Sequence, residues 1–241
     1  MIINRSFKEF KFRHRSKKNQ ILYSSKKVKN DDEILNLIDN FLKEKNSFIF
    51  ESVEKGKIKG RYTIFGKDPD KIWEFNNSHS YIVKKNKKIK LKDKPDVLIE
   101  KIIEDFKFET PKNLPKICSL ISGYFSYDSI RYLEKIPNNC KNDLSLPDVR
   151  LLRPRTVVIH DNLKKEIFYI CNVFKDEKIT NYHNRYKEIQ SDLFKLLIQS
   201  SVKNIDKKIN KSLKNIKVKS NTSKNRFLSM VNKAKKYIKL G

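Results

Sequence analysis

Apolar residues come in short runs separated by charged stretches, and the spacing inside each run predicts the element it forms. Over residues 31–43, Ile34, Leu35, Ile38, Phe41 and Leu42 recur at three and four with acids in the first turn, which predicts an amphipathic helix. The runs 48–50 and 64–65 read as buried strands folded back on each other through a polar turn containing Gly56 and Gly60. Asp68-Pro69-Asp70 predicts a turn, followed by a strand at Ile72, Trp73 and Phe75. Residues 80–83 and 89–91 form a further hairpin across a lysine-rich tip. Pro95 opens a helix with an apolar stripe of Val97, Leu98, Ile102, Ile103 and Phe106.

The second half of the chain continues in the same style. An apolar opening at 117–121 reads as a strand, Gly123 permits close backbone approach, and Tyr127-Asp128 enters a helix with Asp128 as cap and Arg131 on a nearby acid. Residues 156–159 and 166–173 form a hairpin about an Asp161-Asn162 turn. A helix over 179–200 carries Tyr182, Tyr186, Ile189, Leu193, Leu196 and Leu197. A Lys/Asn/Ser-rich linker at 201–221 leads to a last helix, capped within 220–223, with Phe227, Met230, Val231, Ala234, Tyr237 and Ile238 on one face. Residues 1–29 read as a basic arm in which Phe10 and Phe12 alternate with Lys11 and Arg13, either a short edge strand or a loose segment. The fold class expected is α+β, antiparallel sheets with covering helices.

Composition adds limits. At 241 residues and 38% hydrophobic the chain can bury a substantial core. No run approaches a membrane span, and the polar N-terminus has no signal-peptide core. Cys118, Cys140 and Cys171 are odd in number and far apart, which favours a reducing compartment, and a cytoplasmic protein is expected. The net charge of +27 invites a nucleic-acid reading, but its location argues otherwise. Residues 1–29 hold ten Lys/Arg against one acid and 195–241 hold fourteen against one, while the body, 30–194, holds thirty-one against twenty-six. Only 10 of the 55 basic residues are Arg, the residue on which base readout leans. The charge is read as solvated surface rather than a nucleic-acid or membrane footprint.

The densest candidate chemistry lies in the first hairpin. Glu51 and Ser52 follow one strand, and Arg61, Tyr62 and Thr63 precede the other. A carboxylate, two hydroxyls, a phenol and a guanidinium beside apolar strands suit a free amino acid, which needs partners for its ammonium and carboxylate. Solvated strand ends would use the same residue types. Arg150, Arg153 and Arg155 offer an anion site, but with no phosphate loop nearby, packing and salt bridges explain them better.

Four stretches, in order, resemble component I of anthranilate synthase. Glu51-Ser52, a glycine-containing turn and Gly60-Arg61-Tyr62-Thr63 resemble that family's opening hairpin. Gly123, Tyr124, Tyr127, Asp128, Arg131 and Glu134 match its second signature, with Ser119, Leu120 and Ser126 standing where glycines are usual. Residues 146–173 match its Pro-Asp strand and Asp-containing turn, and 220–241 resemble the start of its chorismate-binding half. The resemblance implies a regulatory domain over 30–200, and in 222–241 the first helix of a chorismate-binding domain that the chain stops short of. It further implies that Ser52 binds the feedback inhibitor L-tryptophan, with Glu51 and Arg61 beside it. The family makes anthranilate and pyruvate from chorismate with ammonia from a glutamine amidotransferase subunit, component II, and uses Mg2+ held by glutamates of the second half. No catalytic residue is therefore expected in this chain, which alone would be inactive. Other readings are component I of aminodeoxychorismate synthase, a stand-alone effector-binding module, and a basic nucleic-acid-binding protein.

Overall fold

A computed structural model describes residues 3–51, 60–76, 79–84, 87–137, 144–201 and 219–240. Two long strands form its spine. β3 (Tyr62–Asn76) runs antiparallel to β7 (Val149–Asp161), from Tyr62 opposite Asp161 to Phe75 opposite Val149. Each strand has different neighbours along its length. At one end β2 (Phe48–Glu51) lies on β3 and β8 (Glu166–Val173) on β7, with β1 (Gln20–Lys27) beyond β8. At the other end β4 (His79–Lys84) and then β5 (Lys87–Lys90) extend from β3, and β6 (Ser122–Phe125) pairs with β7. All pairings between these strands are antiparallel, so the sheet-and-helix class expected from the pattern is observed.

The first half of the sheet is buried on both faces. One face packs Phe65, Val158, Tyr169 and Leu22 against α1 (Phe7–Arg15), α2 (Asp32–Leu42) and α4 (Tyr182–Ser201) through Phe10, Leu37, Phe41, Ile189 and Leu193. The other buries Ile21, Ile64, Val157, Ile159, Phe168 and Ile170 under the segment carrying Leu114 and Cys118. Burial on both faces is why 157–159 and 167–170 read as unbroken apolar runs. The second half is covered on one face, where Trp73, Phe75, Val149 and Leu151 meet Ile102 of α3 (Pro95–Asp105).

Three expectations are corrected. Residues 7–27 are no loose arm or edge strand at Phe10, but a helix and a full strand of the sheet. Phe7, Phe10 and His14 share a helical face, Ser6 Oγ caps by accepting from Glu9 N at 3.3 Å, and Phe10 is fully buried while Phe12 points out. Burying one Phe is worth about 2–3 kcal/mol, enough to override a basic composition. Second, Asp68-Pro69-Asp70 does not end a strand. β3 continues through it with a bulge between Pro69 and Lys71, since Asp68 takes φ 52° and proline lacks a donor for the ladder. Third, the strand after Lys116 begins only at Ser122, preceded by a short 3-10 turn at Lys116–Cys118, and the expected helix at Tyr127 is a 3-10 segment, Tyr127–Tyr132.

The chain divides into two compact units, Met1–Asn204 and Ile205–Gly241. Everything above belongs to the first. In the second, α5 (Lys224–Leu240) is the one helix among the described residues, opened by Ser223 Oγ accepting from Arg226 N at 3.3 Å.

Candidate effector site

The two runs of the opening hairpin pair as expected. Phe48, Ile49, Phe50 and Glu51 stand opposite Gly66, Phe65, Ile64 and Thr63. Gly66 leaves room for a ring there: a Cβ at that position would come within 2.2 Å of the Phe48 ring. Phe48 also stacks on Phe50 at 4.9 Å between ring centroids, and Phe50 keeps 48% of its surface exposed. The hairpin thus presents an apolar patch beside its polar end.

Of the three residues expected to hold an effector, Glu51 and Arg61 lie within the described residues and Ser52 lies outside them. Glu51 ends β2, exposed, across from the buried Thr63. Arg61 sits just before β3, where the returning strand was expected to supply a cation, and one edge of its guanidinium is already engaged. Its Nε and Nη2 reach Asp161 Oδ1 and Oδ2 at 3.1 and 2.7 Å, and its guanidinium lies 4.9 Å from the centroid of the Tyr62 ring. That bond raises the Arg61 pKa. Burial alone would raise Asp161, but Arg61 and the amides of Lys164 and Leu163 together hold its carboxyl below the usual range. Asp161 Oδ1 accepts from both amides at 3.0 Å, which closes the β7–β8 turn. Sequence reasoning placed Asp161 in that turn and missed its link to Arg61, a hundred residues away along the chain.

His160, the neighbour of Asp161 on the opposite face of β7, is buried across from Thr63 with no hydrogen-bond partner for Nε2, and burial lowers its pKa.

The second signature is shaped chiefly by packing. Gly123 allows β6 to meet β7, because a Cβ there would stand 1.9 Å from the Arg150 carbonyl oxygen. Arg131 donates to Asp128 at 2.9 Å and to the carbonyls of Ile136 and Pro137, so the expected ion pair forms between two residues of the signature itself. Tyr132 donates to Asp148 at 2.7 Å, and Tyr127 is 87% exposed. The arginines of β7 also pair with acids: Arg150 with the buried Glu74, Arg153 with Asp70 and Asp176, and Arg155 with Glu177 at 3.9 Å. A cleft of about 1380 Å³ lies beside this ladder, with Lys67, Asp70, Glu74, Lys88, Arg150 and Lys195 among its lining. Several of its charges pair, Glu74 with both Lys88 and Arg150, and neither Glu51 nor Arg61 is among its lining.

Among the described residues no group of three His, Cys, Asp or Glu side chains is placed to hold a metal ion, and no helix is long and apolar enough to cross a membrane.

Comparison with known proteins places these features in a family. The model of the chorismate binding enzyme family matches residues 46–241, beginning at the opening hairpin. Anthranilate synthase component 1 of Acetivibrio thermocellus is 30% identical over 211 residues, which cover 86% of this chain and 43% of that protein. That of Cereibacter sphaeroides is 30% identical over 171 residues, covering 69% and 34%. The chain thus spans less than half the length of these curated relatives. A crystal structure of anthranilate synthase component I from Streptococcus pneumoniae aligns with a TM-score of 0.48 at 18% identity, over 66% of this chain and 32% of that one. On the sequence matches, the chain belongs to the chorismate-binding enzyme family and is homologous to component I of anthranilate synthase.

Proposed function

We propose that this chain is the regulatory part of an anthranilate synthase component I, and that its opening hairpin binds L-tryptophan as feedback inhibitor. The observation that carries this reading is the hairpin register. Glu51 and Thr63 stand opposite each other where the chain enters and leaves residues 52–60, beside an exposed aromatic patch, at the point where the family match begins. A carboxylate and hydroxyls serve an α-ammonium and α-carboxylate, and the patch serves an indole ring.

The whole enzyme would add ammonia, supplied from glutamine by the component II partner, to the chorismate ring and then eliminate the enolpyruvyl side chain to leave anthranilate and pyruvate. The described residues do not fit the magnesium ion this chemistry uses. The metal ligands and the catalytic residues are assigned to the second half of the longer relatives. Turnover by this chain alone is expected to be absent, and its setting is the cytoplasm.

The test is Ser52→Leu in the complete enzyme with its amidotransferase subunit. Losing one hydrogen bond to a charged ligand costs about 1.5–3 kcal/mol. Tryptophan inhibition should therefore weaken by roughly tenfold to a hundredfold. Turnover without tryptophan should stay within about a factor of three, since coupling and chemistry are separate terms. Unchanged inhibition would remove the effector assignment.

A further inference from the structure

The fork between Arg61 and Asp161 bears on how this site is built. Asp161, whose side chain is 1% exposed, takes the Nε and Nη2 edge of Arg61, while 29% of the arginine side chain stays open. Stranding a buried charge is costly, so the resident pair persists. We infer that Asp161 is a positioning residue of the effector site: acting through Arg61, it fixes the strand that returns from residues 52–60, and tryptophan sensitivity depends on a carboxylate that the ligand does not touch. This rests on the reading of the hairpin as the effector site.

The geometry supports a clamp from the β7–β8 turn onto the residues that open β3. Besides the fork, Asn162 N donates to the Arg61 carbonyl at 2.8 Å and Asn162 Nδ2 to the Gly60 carbonyl at 3.4 Å. Gly60 takes φ 80°, a backbone state that favours glycine, so the chain enters β3 through a defined bend. Tyr62 directly opposes Asp161 in the ladder. Planar, bidentate Arg–carboxylate pairing fixes orientation as well as distance. The β7–β8 turn thus serves as the anvil on which the start of β3 is set.

Asp161→Asn is a selective probe, because the amide oxygen can still accept from Leu163 and Lys164 while the charge and the second acceptor for Arg61 are lost. Anthranilate formation by the complete enzyme is measured across L-tryptophan concentrations for wild type, Ser52→Leu, Asp161→Asn, Arg61→Lys and the Asp161→Asn/Arg61→Lys pair. Inhibition is read as the ratio of rates with and without tryptophan, so changes in turnover cancel. The half-inhibiting concentration should rise about tenfold or more in Asp161→Asn. Arg61→Lys, which keeps the charge and loses the fork, should match it, and the double variant should be no worse than the larger single effect, as for two residues acting as one unit. A normal half-inhibiting concentration in Asp161→Asn, with Ser52→Leu insensitive, would overturn the clamp and leave the effector site standing. The same holds if Asp161→Asn lowers only stability or turnover. Wild-type enzyme indifferent to tryptophan, or Ser52→Leu with normal inhibition, would overturn the effector reading itself and the clamp with it.

Discussion

Two arginine–aspartate forks join the same pair of strands in opposite surroundings. Arg153 of β7 bonds Asp70 of β3 at the bulge through Nε and Nη2, and Nη2 also reaches Asp176 at 2.9 Å. Its guanidinium lies 3.9 Å from the centre of the Phe174 ring, and the Arg153 and Asp70 side chains keep only 8% and 9% of their surface. Arg61 bonds Asp161 at the end of the strand pair, with 29% of the arginine side chain open. The first fork is walled in, and it holds the irregular Pro69–Lys71 ladder together. The second is open on one side and borders the residues expected to hold a ligand. One motif does two jobs, and burial decides which.

Breaking the walled-in fork should give the largest effect. Arg153→Ala strands Asp70, and removing one partner of a buried pair typically costs about 3–5 kcal/mol. Chemical denaturation of the 241-residue chain would read that loss. Gly123→Ala should come next, at about 1–3 kcal/mol, because its new methyl meets the Arg150 carbonyl and Leu151 Cα, which are backbone atoms that cannot rotate away. The same substitution at Gly66 meets a phenylalanine ring, which can swing aside, and should cost less.

Acid offers a way to load the open end. Burial lowers His160 below the ordinary histidine value of 6.5, and it sits next to Asp161. The unfolded chain then binds the proton first. Stability should be full above about pH 6.5 and should fall as pH drops toward the lowered folded-state value, with a slope no steeper than about 1.4 kcal/mol per pH unit from this group. His14 shifts the same way for the same leading reason. Denaturation at pH 7.5 and 5.5 checks this, and His160→Gln should flatten the difference.

How much of this was legible in the sequence depended on range. The pairing of the opening hairpin's two runs, the helices at Asp32–Leu42 and Tyr182–Ser201, and the close approach at Gly123 follow from local periodicity and single-residue geometry. The N-terminal helix was not legible because Phe10 and Phe12 alternate like a strand, and only burial of Phe7 and Phe10 against α4 selects the helix. The bulge at Asp68 looked like a turn because the same residue types make both. Least legible were the forks. Arg61 and Asp161 could each be singled out, but nothing local says that they meet. The family resemblance supplied the hairpin's expected ligand, and the structure supplied the carboxylate that already holds one edge of Arg61.

The most direct test of the comparison places Arg153→Ala and Asp161→Asn side by side in the same denaturation series. The account predicts that Arg153→Ala loses about 3–5 kcal/mol and that the loss in Asp161→Asn is clearly smaller, since its arginine is open to water on one side. An Asp161→Asn loss equal to or larger than that of Arg153→Ala would contradict it, and would make both forks parts of one structural frame.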